Sequence, residues 1–189
     1  MPEQGSSFID ETAAAARGVF ALMVGDRKAP GYFSFTEQGL VGSFIAVLLI
    51  TALELVAGVA MGATGTIASA AVQTGIVYAL FIAGSALFLS LIGRNDALRP
   101  YLVTLNWSNA VFSLVLLLLT AIGPTVAGFI ALVAGLVMAI NIGRLIMSLK
   151  PLHIFLLMVT QAVGVTIAVL IVLIIFPPTP EQLAALAAG

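Results

Sequence analysis

The sequence predicts an all-α integral membrane protein: five transmembrane helices preceded by an N-terminal amphipathic helix lying in the interface. Three observations carry that expectation. The chain of 189 residues is 61% hydrophobic and only 8% charged, whereas a soluble domain has about 25% charged residues. Five apolar runs follow one another, each with about 20 residues or more, enough for a hydrocarbon core of about 30 Å at a rise of about 1.5 Å per residue. The seven Lys and Arg residues segregate to one side of the topology that results.

Residues 1–5 read as a frayed end. Ser7 and Asp10 then form a capping-box-like start, with Asp10 and Glu11 in a favourable first turn. Apolar positions at Phe8, Ile9, Ala13, Ala16, Val19, Phe20, Met23 and Val24 put a stripe on a helix over about 7–24. That helix is too short and too polar to span, and Gly25 is expected to end it. Two readings are open: a helix in the cytoplasmic interface or on a partner protein, or a helix packed on the chain's own bundle. Ala29-Pro30-Gly31 is a turn. Tyr32, Phe33 and Phe35 follow as expected interfacial anchors, and Thr36 can cap the next helix.

The expected spans are about 40–61, 67–92, 101–122, 126–149 and 152–176, after a cytoplasmic segment 1–39 and before a non-cytoplasmic tail 177–189. Gly123-Pro124, Lys150-Pro151 and Pro177-Pro178 punctuate them. With the N-terminus inside, Arg17, Arg27, Lys28, Arg94, Arg99 and Lys150 fall in inside segments, and Arg144 approaches the same side. The positive-inside rule is then obeyed throughout, with the N-terminus expected in the cytoplasm and the C-terminus outside. No cleavable signal peptide is expected, because the first ~35 residues are polar or amphipathic.

The third span, Tyr101–Ile122, carries Asn106, Trp107, Ser108 and Asn109 together. A helix immersed in lipid gains nothing from such residues, so this one is expected inside the bundle. Asn106 with Asn109, and Asn141 with Arg144, are i, i+3 pairs at similar depth, each on one helix face. They are expected to form one interhelical cluster of hydrogen bonds. Arg144 could instead reach the headgroups, and Trp107 is expected to be an interface anchor. Glu54 and Gln73 fall at similar depth in the outer half. A charged Glu in hydrocarbon costs a few kcal/mol, so Glu54 is expected to be neutral and hydrogen-bonded to Gln73. Its functional reading is an ion- or proton-coupling carboxylate; its plainer reading is an interhelical bond. Small residues at Gly58-x-x-x-Gly62, along Gly135, Ala139 and Gly143, and at Gly164 and Ala168 allow close helix approach.

Several classes are excluded or unsupported. The chain has no Cys and a single His, His153, which removes disulfides, thiolate chemistry and any multi-histidine metal site. No Walker loop, HExxH or GxSxG motif is present. No basic run could track phosphates, so no nucleic-acid partner is expected. No cofactor, metal or enzymatic activity is expected.

The stretches FSFTEQGLVGSF (33–44) and RPYLVTLNWSN (99–109), with a cytoplasmic N-terminal segment, five closely spaced spans and short loops, make the chain resemble the Yip1-like family of small membrane proteins, in an uncharacterised bacterial branch. Eukaryotic members act in vesicle trafficking with small GTPases, and their inter-span loop motif has no equivalent here. The resemblance implies a location in a bacterial inner membrane and a non-enzymatic scaffold or accessory subunit whose partners are the lipid bilayer and a protein partner or second copy in the membrane. The alternative is a small transporter or channel using Glu54 and the Asn106/Asn109/Asn141/Arg144 cluster.

Overall fold

Apolar runs broken by Gly, Pro and charged turns can satisfy their backbone in lipid only as helices, and the computed structural model, which describes residues 7–61, 66–120 and 123–180, contains helices and no strand among them. The helices are α1 (Phe8–Met23), α2 (Glu37–Ala60), α3 (Ile67–Leu91), α4 (Leu98–Thr120), α5 (Pro124–Asn141) and α6 (Pro151–Ile175). The last five are long and apolar enough to cross a membrane. Their outward faces carry large apolar side chains such as Leu48, Leu118, Leu132 and Ile174, as a lipid-facing surface requires. The expected features at residues 1–5, at Gly62 and in the tail beyond Pro180 lie outside the described residues.

Local chemistry sets the helix ends. Ser7 caps α1 through a hydrogen bond from the Asp10 backbone N–H (3.2 Å), and the Asp10 carboxylate accepts from the Ser7 N–H (3.3 Å). Gly25 follows α1 at φ +71°, a left-handed conformation that glycine adopts without steric cost. Thr36 caps α2 through the Gly39 N–H (3.1 Å). The fourth span is shorter than expected. After Asn141 the chain passes through a π-helical turn at Ile142–Ile146 and then Ser148 at φ +51°. The helix therefore stops ahead of Lys150-Pro151 rather than at it.

Two non-consecutive pairs dominate the packing: α2 against α4, and α3 against α6. Gly164 explains the second, since a Cβ there would lie 3.1 Å from the Leu80 carbonyl oxygen. Gly135, in contrast, faces open space, so the expected small-residue face of this helix meets a neighbour at Gly143, where Ile154 packs. α4 also touches α1 and α5 and is the most buried of the spans.

α1 lies across α4 and α5. Its inward face is Ala15, Gly18, Val19, Ala21 and Leu22. Of the stripe expected from spacing, Val19 alone is buried, and Ile9, Phe20 and Val24 point outward at 78%, 70% and 66% exposure. Small residues at Ala15 and Gly18 let the helix approach closely, and the Phe33 ring covers Gly18.

Candidate functional site

α4 forms a polar spine because its apolar run is interrupted by Tyr101, Thr104, Asn106 and Ser108, all buried. Asn106 is fully buried. Its side-chain oxygen accepts from the Tyr78 hydroxyl of α3, and its Nδ2 donates to Ser43 Oγ of α2 at 3.1 Å. Ser43 in turn donates to the Leu40 carbonyl (2.7 Å). One turn and a half earlier, the Tyr101 hydroxyl accepts from Gln161 Nε2 of α6 (2.7 Å), which also reaches Ser85 Oγ of α3 (3.1 Å). These two networks tie the helix pairs together, and each such bond stabilises by about 0.6 kcal/mol on average and up to about 1.7.

The four-residue cluster expected at Asn106, Asn109, Asn141 and Arg144 is not assembled. Asn106 turns to α2 and α3. Asn141 Nδ2 donates to the Leu22 carbonyl at the end of α1 (2.8 Å). Arg144 is exposed; it and Asn141 both lie beside Gly25, 3.7 and 3.8 Å from where a Cβ would stand. Asn109 is exposed and lines clefts between the helices. The four side chains meet different neighbours: Asn106 meets α2 and α3, Asn141 and Arg144 the end of α1, and Asn109 the clefts.

Trp107 is 2% exposed and does not reach lipid, so the anchor role expected of it does not fit its place. The Phe8 ring of α1 lies 5.9 Å from it, tilted by 36°. Phe33 is buried as well, stacked on a half-buried Phe35 at 6.3 Å, while Tyr32 stays at the surface. Beside Trp107, the Glu11 carboxylate presses onto the α2 backbone; a Cβ on Gly42 would lie 2.9 Å from Glu11 Oε2. Burial raises the Glu11 pKa above its ordinary 4.5, and the Trp107 indole N–H, which favours the anion, offsets part of that rise. The contact is loose: neither Glu11 Oε1 nor Trp107 Nε1 completes a hydrogen bond of ordinary geometry among the described residues.

Glu54 and Gln73 do not pair, and neither makes a hydrogen bond among the described residues. Each lines its own cleft at the end of the bundle away from α1. Glu54 faces a cleft of about 270 Å³ between α2, α3 and α4, with Thr51, Thr74, Tyr78, Asn109 and Ser113 on its walls. Gln73 faces one of about 570 Å³ between α3, α4 and α6. Thr74, Tyr78 and Asn109 belong to both. The two helix pairs are thus bonded together below these clefts and stand apart around them.

Ser43, Tyr78, Ser85 and Tyr101, none of them among the residues expected at a site, complete the buried networks. The available signal was that two of the three tyrosines lie inside apolar spans, where a buried hydroxyl needs a partner. No family model, curated protein or solved structure matches the chain.

Proposed function

We propose that this chain is a non-enzymatic scaffold or accessory subunit of a complex in the bacterial inner membrane, with the layout of the Yip1-like family, a cytoplasmic N-terminus and an outward C-terminus. The observation that carries this reading is the second apolar face of α1. A helix outside the spans that is satisfied on its own bundle has no internal use for exposed Ile9, Phe20 and Val24. Successive steps of eleven and four residues set these three along one face, as on an amphipathic helix lying in the interface. That face supplies the contact with a partner protein at the inner leaflet. The charge distribution supports the orientation, since Arg17, Arg27, Lys28, Arg94, Arg99 and Lys150 then share the inside. Purification of the tagged full chain from its native membrane in a gentle detergent, with mass spectrometry and particle mass, tests this. A stoichiometric partner, lost when Ile9 and Phe20 are changed to Ser, is the expected result. A clean monomer with no partner would refute it.

A second reading, a small transporter, is favoured by one observation: Glu54 opens onto a cleft instead of pairing across helices. Glu54→Gln is then expected to abolish flux in proteoliposomes. A flux that survives this change removes the reading's central residue.

A further inference from the structure

The cleft around Glu54 holds one carboxylate and two aromatic rings within a wall of apolar and hydroxyl side chains and one amide. The Phe44 and Tyr78 rings meet edge to face, with centroids 6.5 Å apart at 89°. Tyr78 is fixed by donating its hydroxyl to buried Asn106. The remaining polar groups, Thr51, Thr74, Asn109 and Ser113, can all accept hydrogen bonds. No Lys, Arg or His lines the space, so its chemistry is that of a cation site.

The kind of cation follows from charge and size. A single carboxylate, here the exposed Glu54, compensates one positive charge and leaves a dication half unpaired. Among the described residues no three His, Cys, Asp or Glu side chains come together as metal ligands. A space of about 270 Å³ equals roughly nine water volumes at about 30 Å³ each, far more than a bare alkali ion fills. Two aromatic rings lining the same cleft as a carboxylate instead suit an ammonium group carrying carbon substituents, which gains from ring quadrupoles and apolar walls together. We infer that the cleft between α2, α3 and α4 is a binding site for a small organic ammonium ion, with Glu54 as its counter-charge and Phe44 and Tyr78 as its aromatic walls.

This inference names a ligand class for the transport reading and rests on its location of the site, so binding is measured apart from flux. The full chain in lipid nanodiscs is titrated with radiolabelled tetramethylammonium, and uptake of the same label is followed in proteoliposomes. The expected result is saturable binding, weakened at least tenfold in Glu54→Gln and several-fold in Phe44→Leu. Glu37→Gln, at an exposed site paired with Arg99 (3.7 Å), leaves it unchanged. Folding of each variant is verified by circular dichroism and elution volume, and Phe44→Leu keeps the test decisive if Glu54→Gln does not fold. Absence of saturable binding by the folded wild-type chain overturns the inference, as does wild-type affinity in Glu54→Gln. Displacement of the label by an equal concentration of sodium overturns the assignment to an organic ion. Binding without uptake supports the site and removes the transport reading.

Discussion

Leu22 is the side chain through which the docking of α1 can be measured. It is fully buried on the inward face of α1, and its carbonyl accepts from Asn141. Leu22→Ala deletes the packing and keeps that backbone bond. Buried Leu→Ala changes cost about 2–5 kcal/mol, and a peripheral helix that can settle inward belongs at the lower end, about 2–3 kcal/mol. About 2 kcal/mol already shifts the ratio of docked to undocked α1 by roughly 30-fold. The readout is built in, because Trp107 is the sole tryptophan and lies under α1 beside Phe8. In wild type its emission is expected to be blue-shifted and poorly quenched by acrylamide. Leu22→Ala is expected to shift the emission to the red and raise quenching several-fold, while Phe20→Ala, on the outward face, leaves both unchanged. Wild-type quenching in a Leu22→Ala chain with normal helix content would show that α1 does not cover Trp107, and the assignment of its inward face would be wrong.

Three further outcomes follow from the same geometry. Burial raises the Glu11 pKa, so docking of α1 takes up a proton: the associated stabilisation is complete below 4.5 and is lost as pH rises through the docked value. Trp107 quenching should therefore increase with pH across that window in wild type and stay flat in Glu11→Gln; equal pH profiles would contradict the burial of this carboxylate. Asn106→Ala removes two cross-helix bonds and is expected to cost about 1–3 kcal/mol, read as a lower unfolding midpoint in mixed SDS micelles, with an unchanged midpoint counting against the network. Gly164→Leu should lower the thermal midpoint more than Gly164→Ala, since the larger side chain must push α6 off the Leu80 carbonyl; identical midpoints would mean that α3 and α6 are not held at that point.

Hydropathy and breakers made the spans legible to within a few residues, because in lipid a backbone has no alternative to the helix. The caps at Ser7 and Thr36 were legible for a similar reason, as both bonds are local. Azimuth was not legible. Counting along the spans puts Asn106, Asn109, Asn141 and Arg144 at similar depth, yet which neighbour each meets depends on how two helices are turned about their axes, and apolar spans exposed to lipid carry little periodicity to fix that. α1 shows the same limit in another form. Its apolar stripe, from Ile9 to Val24, left open whether the helix packs on the bundle or on lipid or a partner, and the face that packs inward is that of the small residues Ala15 and Gly18, with Leu22 beside them. Trp107 read as an anchor because tryptophan is common at the ends of spans; the partners that bury it, Phe8 and Glu11, stand almost a hundred residues earlier in the chain.

The interleaving of the two tight pairs constrains how the protein can be made. α2 waits for α4, and α3 for α6, although each is flanked in sequence by helices it packs against less closely. Between the end of α3 and the start of α6 lie about 60 residues of chain, which a ribosome adds in roughly 3–12 s. For that interval Ser85 lacks Gln161, and the Leu80–Gly84 face of α3 lacks its neighbour on α6. The close α3–α6 pairing is therefore completed only when the last span has been made.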